Sequence, residues 1–482
     1  MEPTLRLALV VPNYRWVDND KSVFWHIMPY NLCMLAAMVE DLCEVEIVDA
    51  YVDDMDQDRF MTVLKDMNPD LVGITVMMDQ FAPAAHVAAG LVKSINPAVR
   101  VIMGGVYATV NPDLAMQNTN VDYTVVGEGE YVLRALVGHF LGKNPMPARG
   151  ICYREGGSVK DTGRADFIED LDALPLPAYH LIDFTKYSNN APRKSVDAPR
   201  ALPYAWVLTS RGCPIGCAFC QVEKISGRKF RPRSAENLLR EIAWLKDTYG
   251  IRSIVFADDN LYTDKERAKE IFRGLIDRKL AMPWVSPGTA VFRLDEEMLD
   301  LMRASGCEFI CIAIESGTDR VLKEIIRKPV DYEYAKKMVK AAKVRGIYVA
   351  ANFIVGFPTE TWEEIRQTIR FAEELDVDYM KLFHAIPLRH TRLWDLCVKE
   401  GALKEGFDPS NIRWSTGQVK GKEFNPHDLT ILRAYEWDRI NFSTPAKRQR
   451  TAEMMHVSEE ELWQIRRETL TSAQTNILKT AS

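Results

Sequence analysis

Three cysteines stand close together in this 482-residue chain, Cys213, Cys217 and Cys220 in the run RGCPIGCAFC. Thiolates are soft ligands, and three of them on one short loop can hold three irons of a four-iron cubane while the fourth iron stays open to a reactant. A structural zinc centre takes four ligands instead. The only other close pair, Cys307 and Cys311, falls within a predicted strand, so ligand count favours the cluster. Other groups with chemistry stand at predicted strand ends: Asp258 and Asp259 in FADDN, Lys381, His384, and Glu315 at the end of FICIAIE. The first four are candidate general acids or bases, with a polar cap as the alternative for each. Gly104-Gly105 and Gly127-Glu128-Gly129 also stand at strand ends, where backbone must come close to a ligand or to a tight turn.

The elements that position these residues follow from hydrophobic period. From residue 5 to 142, apolar β-branched runs alternate with amphipathic stretches, which predicts parallel strands joined by crossover helices. The strands read as 5–11, 45–49, 71–76, 99–103 and 123–126, with helices near 31–42, 58–67, 82–95 and 112–118 and another after Gly129. That is an α/β fold with a doubly wound, Rossmann-like sheet over residues 1–142, whose ligands sit at the carboxyl ends of the strands. Residues 143–203 read as a linker with a hairpin over 151–160 that turns at Gly156-Gly157. A second alternation places strands at 206–209, 253–257, 284–287, 309–314, 349–355 and 379–383, separated by helices at 234–249, 264–279, 295–304, 331–345 and 360–375. Six such units over 204–390 predict a partial (β/α)6 barrel of the TIM type, again with its chemistry at carboxyl strand ends. The cysteine loop directly follows the first of these strands. Residues 391–482 predict a helical cap packed by Trp394, Trp414, Trp437 and Trp463.

Composition narrows the partners. With 47% hydrophobic and 27% charged residues the chain is globular, and 61 basic against 67 acidic residues give a net charge of −6, which offers no general attraction to nucleic acid. The basic run PAKRQR at 445–450 reads as a solvated face. No apolar stretch reaches the ~18 residues that span a bilayer, and MEPTLRLALVVPNYR lacks a small-residue cleavage site. Nine dispersed cysteines suit a reducing compartment. The expectation is a cytoplasmic protein with a small-molecule substrate and no membrane or nucleic-acid partner.

The CxxxCxxC loop at the start of a β/α barrel, with Phe219 just before the last cysteine, resembles the radical S-adenosylmethionine superfamily. The resemblance implies that the open iron binds this cosubstrate, with Phe219 beside it, and reduces its sulfonium to release a 5′-deoxyadenosyl radical. It implies further that Asp258 and Asp259 lie where the cosubstrate's amino group is held. FICIAIESG is similar to the ribose-contacting strand, with Glu315 at the polar position, and NFIVGFP to the strand whose Gly356 lets backbone approach adenine. Alternation agrees for Glu315: Cys307, Phe309, Cys311, Ala313 and Glu315 share one strand face, and Ile310, Ile312 and Ile314 the other.

The runs HIMPYNLCMLAAMVED, DLVGITVMMDQ, VIMGGVYATVNPD, VDYTVVGEGE and LDALPLPAYHLID are similar to the cobalamin-binding domain that precedes the barrel in the class B radical methyltransferases. Gly104, Gly105, Tyr107, Gly127, Glu128 and Gly129 are the cobalamin candidates this implies. Three departures stand out. Val106 and Tyr107 replace the usual proline and histidine, Asn31 replaces a glycine while still tolerating left-handed backbone, and the DxHxxG cobalt-ligand motif is absent, which leaves His86 in a helical stretch as a packing residue. The family thus implies a [4Fe-4S] cluster, S-adenosylmethionine and cobalamin as cofactors, and an external electron donor of flavodoxin or ferredoxin type. In the implied reaction one cosubstrate methylates cobalt, and a second yields the radical that strips hydrogen from an unactivated carbon lying between cluster and cobalamin. The alternative is a non-methylating dehydration, deoxygenation or cyclisation of a sugar-like metabolite with a degenerate cobalamin domain. A cluster-bearing sensor is disfavoured by the full set of cosubstrate motifs. Methylthio transfer is disfavoured because Cys33, Cys43 and Cys152 form no second cluster loop.

Overall fold

The computed structural model describes residues 5–17, 27–189, 196–197, 199, 201–403 and 406–481. The chain divides into two units, one of Met1–Asn190 with Lys224–Gly227 and Pro409–Asn411, the other of Ala191–Glu223, Arg228–Asp408 and Ile412–Ser482.

In the first unit, apolar runs form parallel strands β1 (Arg6–Val11), β2 (Glu44–Asp49), β3 (Leu71–Thr75), β4 (Arg100–Gly104) and β5 (Tyr123–Val125). Helices α1 (Tyr30–Ala37), α2 (Gln57–Met67), α3 (Ala82–Ile95), α4 (Val106–Val110), α5 (Pro112–Ala115) and α6 (Glu130–Phe140) connect and follow them. Strand β3, LVGIT, is buried at every position, as a strand covered on both faces must be. The helix expected near 112–118 is α5, and a second short helix that the sequence reading did not place, α4, precedes it across a break at Asn111, because Pro112 disfavours helical backbone in the residue before it. The linker expectation for 143–203 also changes. Strands β6 (Ile151–Glu155) and β7 (Ser158–Asp161) extend the sheet antiparallel from β5, giving the order β2-β1-β3-β4-β5-β6-β7. Helix α7 (Phe184–Asn189) belongs to the same unit, and the Tyr187 hydroxyl donates to the buried Asp49 carboxylate at 3.0 Å.

The second unit carries β8 (Tyr204–Val207), β9 (Ser210–Arg211), β10 (Arg231–Pro232), β11 (Ser253–Phe256), β12 (Trp284–Thr289), β13 (Cys307–Glu315), β14 (Tyr348–Val355) and β15 (Tyr379–His384). Six of these form one parallel sheet, ordered β15-β14-β13-β12-β11-β8, and β9 pairs only with β10. After the short α8 (Val222–Ile225), the helices α9 (Ala235–Tyr249), α10 (Lys265–Asp277), α11 (Glu296–Ser305), α12 (Tyr332–Val344) and α13 (Trp362–Glu374) alternate with the strands. Ser234, Asp264, Asp295, Asp331 and Thr361 each accept a backbone N–H of the first turn, which is why these helices start where they do. The alternation along β13 appears as packing: Phe309 and Cys311 join Val255, Val285, Ala350 and Met454 in one core inside the sheet's curve.

The chain ends in α14 (Arg392–Lys399), α15 (Pro426–Phe442), α16 (Pro445–Met455) and α17 (Glu459–Ala481). Helix α15 covers the outer edge of β15 with side chains. Asn441 accepts the Met380 N–H at 2.8 Å and donates to its carbonyl at 2.9 Å, and Arg433 Nε donates to the Leu382 carbonyl at 2.8 Å. Edge groups that a further strand would have satisfied are thereby paired. Of the tryptophans expected to pack this region, Trp437 donates to the Tyr379 hydroxyl at 2.7 Å and Trp394 packs on Phe407, but Trp463 stays 43% exposed under the Arg466 guanidinium. Among the described residues no helix is long and apolar enough to cross a membrane.

Candidate active site

The cysteine loop leaves the carboxyl end of β8, and the β9–β10 ribbon closes its base. Gly216 sits at φ +70° with the Arg228 guanidinium against its Cα, so a side chain there would collide with it. Backbone bonds hold the loop from both sides: Ala218 N–H donates to the Ile326 carbonyl and Leu393 N–H to the Ala218 carbonyl, each at 2.9 Å. The three thiols lie within electrostatic reach of one another, and burial pushes Cys217 up to about 11 and Cys220 up to about 12. Among the described residues no three His, Cys, Asp or Glu side chains converge on the position of one metal ion. Three thiols fall one short of the four ligands a structural zinc takes, whereas in a cluster each cysteine takes a different iron. The donor set fits the cluster.

Asp258 and Asp259 both turn back toward this loop. Asp258 accepts from Thr209 N–H at 3.0 Å, Thr209 Oγ1 at 2.8 Å and Ser210 Oγ at 2.5 Å, all on one oxygen, while Oδ2 is buried without a partner. Burial raises its carboxyl despite those donors. Arg267 clamps the same turn by donating to the Thr209 carbonyl at 2.6 Å. Asp259 accepts the Gly212 N–H at 3.3 Å, one residue before Cys213. Phe219 is half-buried on the loop itself.

Glu315 sits at φ +76°, where the β13–β14 register slips, and is 5% exposed. Its carboxylate is engaged by Lys328, with Nζ to Oε1 at 2.7 Å and both side chains nearly inaccessible. Sequence reasoning missed this lysine. It follows a left-handed turn at Arg327, after the single π-helical turn Val321–Ile326, and no periodic pattern marks a side chain aimed inward from such a turn. Burial works against its charge, but Glu315, Cys217 and Cys213 together hold its pKa above the usual value.

Gly356, at φ +88°, is required by the fold, because a Cβ would strike Leu429 of α15. Glu360, also missed, braces this turn by accepting the Gly356 N–H at 2.7 Å and the Phe357 N–H at 3.0 Å. Burial pushes its carboxyl up to about 8, and Oε1 is buried without a donor. Two carboxylate oxygens lacking donors, at the ends of β11 and β14, suit a ligand rich in N–H and O–H groups, such as an amino acid joined to a nucleoside. The remaining two candidates have protein partners. Lys381 is ion-paired with Asp197, and His384 donates Nε2–H to the Leu429 carbonyl at 3.0 Å. Burial, helped by Arg433, pushes His384 down to about 3, so it is a neutral docking residue for α15 at physiological pH.

In the first unit the two adjacent glycines at the end of β4 differ. Gly105 is at φ +93°, ψ −167°, and a Cβ there would sit 2.7 Å from the Val76 carbonyl oxygen and 2.9 Å from Val76 N. The sheet itself therefore demands glycine at 105. At Gly104 a Cβ would meet nothing closer than Val125 Cβ at 4.0 Å, so packing does not demand glycine there. Gly127, at φ +110°, abuts Ala165, and Glu128 accepts the Ile168 N–H at 2.7 Å, so both fasten the strap after β7. Gly129 is in ordinary contact with Leu35 at 3.4 Å. Tyr107 is buried in the core and meets His86 Nε2 at 3.3 Å, and Asn118 approaches the other ring nitrogen at 3.1 Å. Asn31 lies in α1 and ties its amide to Thr75 Oγ1 at 3.1 Å.

These glycines carry a test. Gly105→Val is expected to destabilise the sheet by at least about 1–3 kcal/mol from backbone strain alone, read as a lower melting temperature. Gly104→Val is expected to melt as the wild type does but to retain less hydroxocobalamin after gel filtration. Equal retention would show that the corrin does not lie against Gly104.

A family model described as the Radical SAM superfamily matches residues 207–372, and one described as the B12 binding domain matches residues 23–137. An uncharacterised methyltransferase of Pyrococcus horikoshii is 33% identical over 377 residues, covering 78% of this chain and 79% of that protein. The cytidylyl-2-hydroxyethylphosphonate methyltransferase of Streptomyces wedmorensis is 31% identical over 422 residues, covering 77% and 78%. The solved structure of the radical S-adenosylmethionine methyltransferase TsrM from Kitasatospora setae, with cobalamin and a [4Fe-4S] cluster bound, shares the fold at TM-score 0.65 and 20% identity over 82% of this chain and 75% of that one. With three thiols on a barrel loop and a bare glycine at the end of the β4 strand, the chain belongs to the radical S-adenosylmethionine superfamily, in the branch that carries a cobalamin-binding domain ahead of the barrel.

Proposed function

We propose that the chain is a cobalamin-dependent radical methyltransferase acting on an unactivated carbon of a small molecule, reduced in the cytoplasm by an external donor of flavodoxin or ferredoxin type. Its cofactors are a [4Fe-4S] cluster, S-adenosylmethionine and cobalamin. When bound, these supply a 5′-deoxyadenosyl radical for hydrogen abstraction and a methyl group for transfer. The supporting observation is one chain that joins a three-thiol barrel loop to a sheet left open at Gly104. The Pyrococcus and Streptomyces relatives are both methyltransferases by name, which favours methyl transfer over other radical outcomes.

The chain's own residues divide the work. Cys213, Cys217 and Cys220 hold the cluster. Lys328 presents an ammonium beside Cys213 and Cys217, where a cosubstrate carboxylate is received. The open oxygens of Asp258 and Glu360 accept from its amino, hydroxyl or adenine donors. Of the four acid–base candidates a non-methylating reaction could draw on, His384 is neutral and bonded to α15 and Lys381 is paired, which leaves Asp258 and Asp259.

By-products test the reading. Methyl transfer through cobalt spends one cosubstrate on the methyl group and one on the radical, so S-adenosylhomocysteine and 5′-deoxyadenosine must accumulate in comparable amounts. Chromatography of a quenched anaerobic reaction is expected to find both. Substrate-dependent 5′-deoxyadenosine with no S-adenosylhomocysteine would remove methylation and leave the dehydration, deoxygenation or cyclisation reading.

A further inference from the structure

Lys381 lies in mid-strand on β15, in register with Asn352 of β14, which is itself in register with Ala313 of β13. That places it one inward-facing step below Glu315. Its neighbour at the same strand face, Tyr379, packs on the apolar core of Phe309, Cys311, Ala350 and Met454 that floors the barrel. The Lys381 ammonium is ion-paired with Asp197. This pair differs from the Glu315–Lys328 pair in one respect. Its side chains keep 17% and 28% of their exposure, against 5% and 7%, so the Lys381 site is the wetter of the two. Asn352 adds polar capacity at the same level: its Oδ1 receives the Cys311 thiol at 3.1 Å, and its amide nitrogen remains a donor.

Stability does not account for a charge pair here. A partly buried ion pair rarely outperforms apolar side chains of the same size, and the segment carrying Asp197 already has an apolar anchor in Val196, which packs on the barrel floor. A wet, fixed ammonium above a dry floor is instead the arrangement that receives an anion. We infer that Lys381 anchors an acidic group of the substrate, a carboxylate or a phosphate, and that Asp197 holds the ammonium in place of that group until the substrate displaces it. The inference rests on the barrel lumen being the substrate chamber of the proposed methyl transfer. No bond is made or broken in the exchange, and Asp197, the more exposed partner, returns to water with its charge.

The test uses the full chain with its cluster, and inorganic phosphate and acetate as probes in isothermal titration. Asp197→Asn frees the ammonium and is expected to bind one of the two anions about tenfold more tightly than the wild type, with the gain abolished in Asp197→Asn/Lys381→Met. Preference for phosphate or for acetate identifies the group. Equal affinity in the single and double variants would overturn the assignment. If Asp197→Asn melts early, wild type against Lys381→Met carries the same test: weaker anion binding in the methionine variant supports the anchor, and equal binding overturns it. These titrations need neither cobalamin nor turnover, so their failure is distinct from a missing S-adenosylhomocysteine product.

Discussion

Replacing Cys213, Cys217 and Cys220 together by alanine is expected to abolish the brown absorbance of the reconstituted protein and its reductive cleavage of S-adenosylmethionine. The loss should be complete, because the other six cysteines are dispersed along the chain and none stands on this loop. The other cysteines are buried; Cys152, for example, is pushed up to about 12, chiefly by burial, and makes a poor thiolate. The fold should survive. All three residues are only half-buried on a loop held by its own backbone bonds to Ile326 and Leu393, so little packing is removed. A melting temperature near the wild type, with iron and cleavage both absent, is the expected result. Retained cleavage in the triple variant would sink the radical assignment.

Glu315→Ala is expected to do more damage than the loss of one hydrogen bond to a bound ligand. The carboxylate it removes is the partner of a lysine that is 6% exposed, and stranding a buried charge costs about 3–5 kcal/mol. For a unit of this size that is a fall of roughly 6–20 °C in melting temperature. Lys328→Met should fall comparably, for the mirror-image reason. The double variant Glu315→Leu/Lys328→Met removes both charges and should recover most of the stability while still failing to bind S-adenosylmethionine. Calorimetry alongside equilibrium dialysis of the cosubstrate separates the two effects. If the double variant binds normally, the pair is a strut of the β13–β14 corner and not part of the cosubstrate site.

Much of the architecture was legible because its signals are local. A run such as LVGIT has one reading in an α/β chain, and Ser234, Asp264, Asp295 and Asp331 mark helix starts within one turn of sequence. The cysteine spacing is equally local. What was not legible depends on residues far apart in the chain. His384 reads as a possible base at a strand end until the Leu429 carbonyl accepts its N–H, and Lys381 reads the same way until Asp197 pairs with its ammonium. Lys328 is invisible because its direction is set by one left-handed residue. Gly104 and Gly105 look equivalent as letters and differ only in what lies opposite each Cα. Glycine density marks the strand end, and only three-dimensional crowding tells which of the two glycines the packing demands.

The side chains of α15 that finish the β15 edge set a schedule for the nascent chain. Asn441, which satisfies both backbone groups of Met380, is synthesised 61 residues after it. At about 5–20 residues per second a ribosome takes roughly 3–12 s to cover that interval. For a lag of that length the emerged strand carries unpaired N–H and C=O groups on this edge, a template for a second chain on the same message. A charge in the middle of such a strand discourages that pairing, and Lys381 lies there, so the residue that meets Asp197 in the finished protein also guards the strand while the barrel waits for α15.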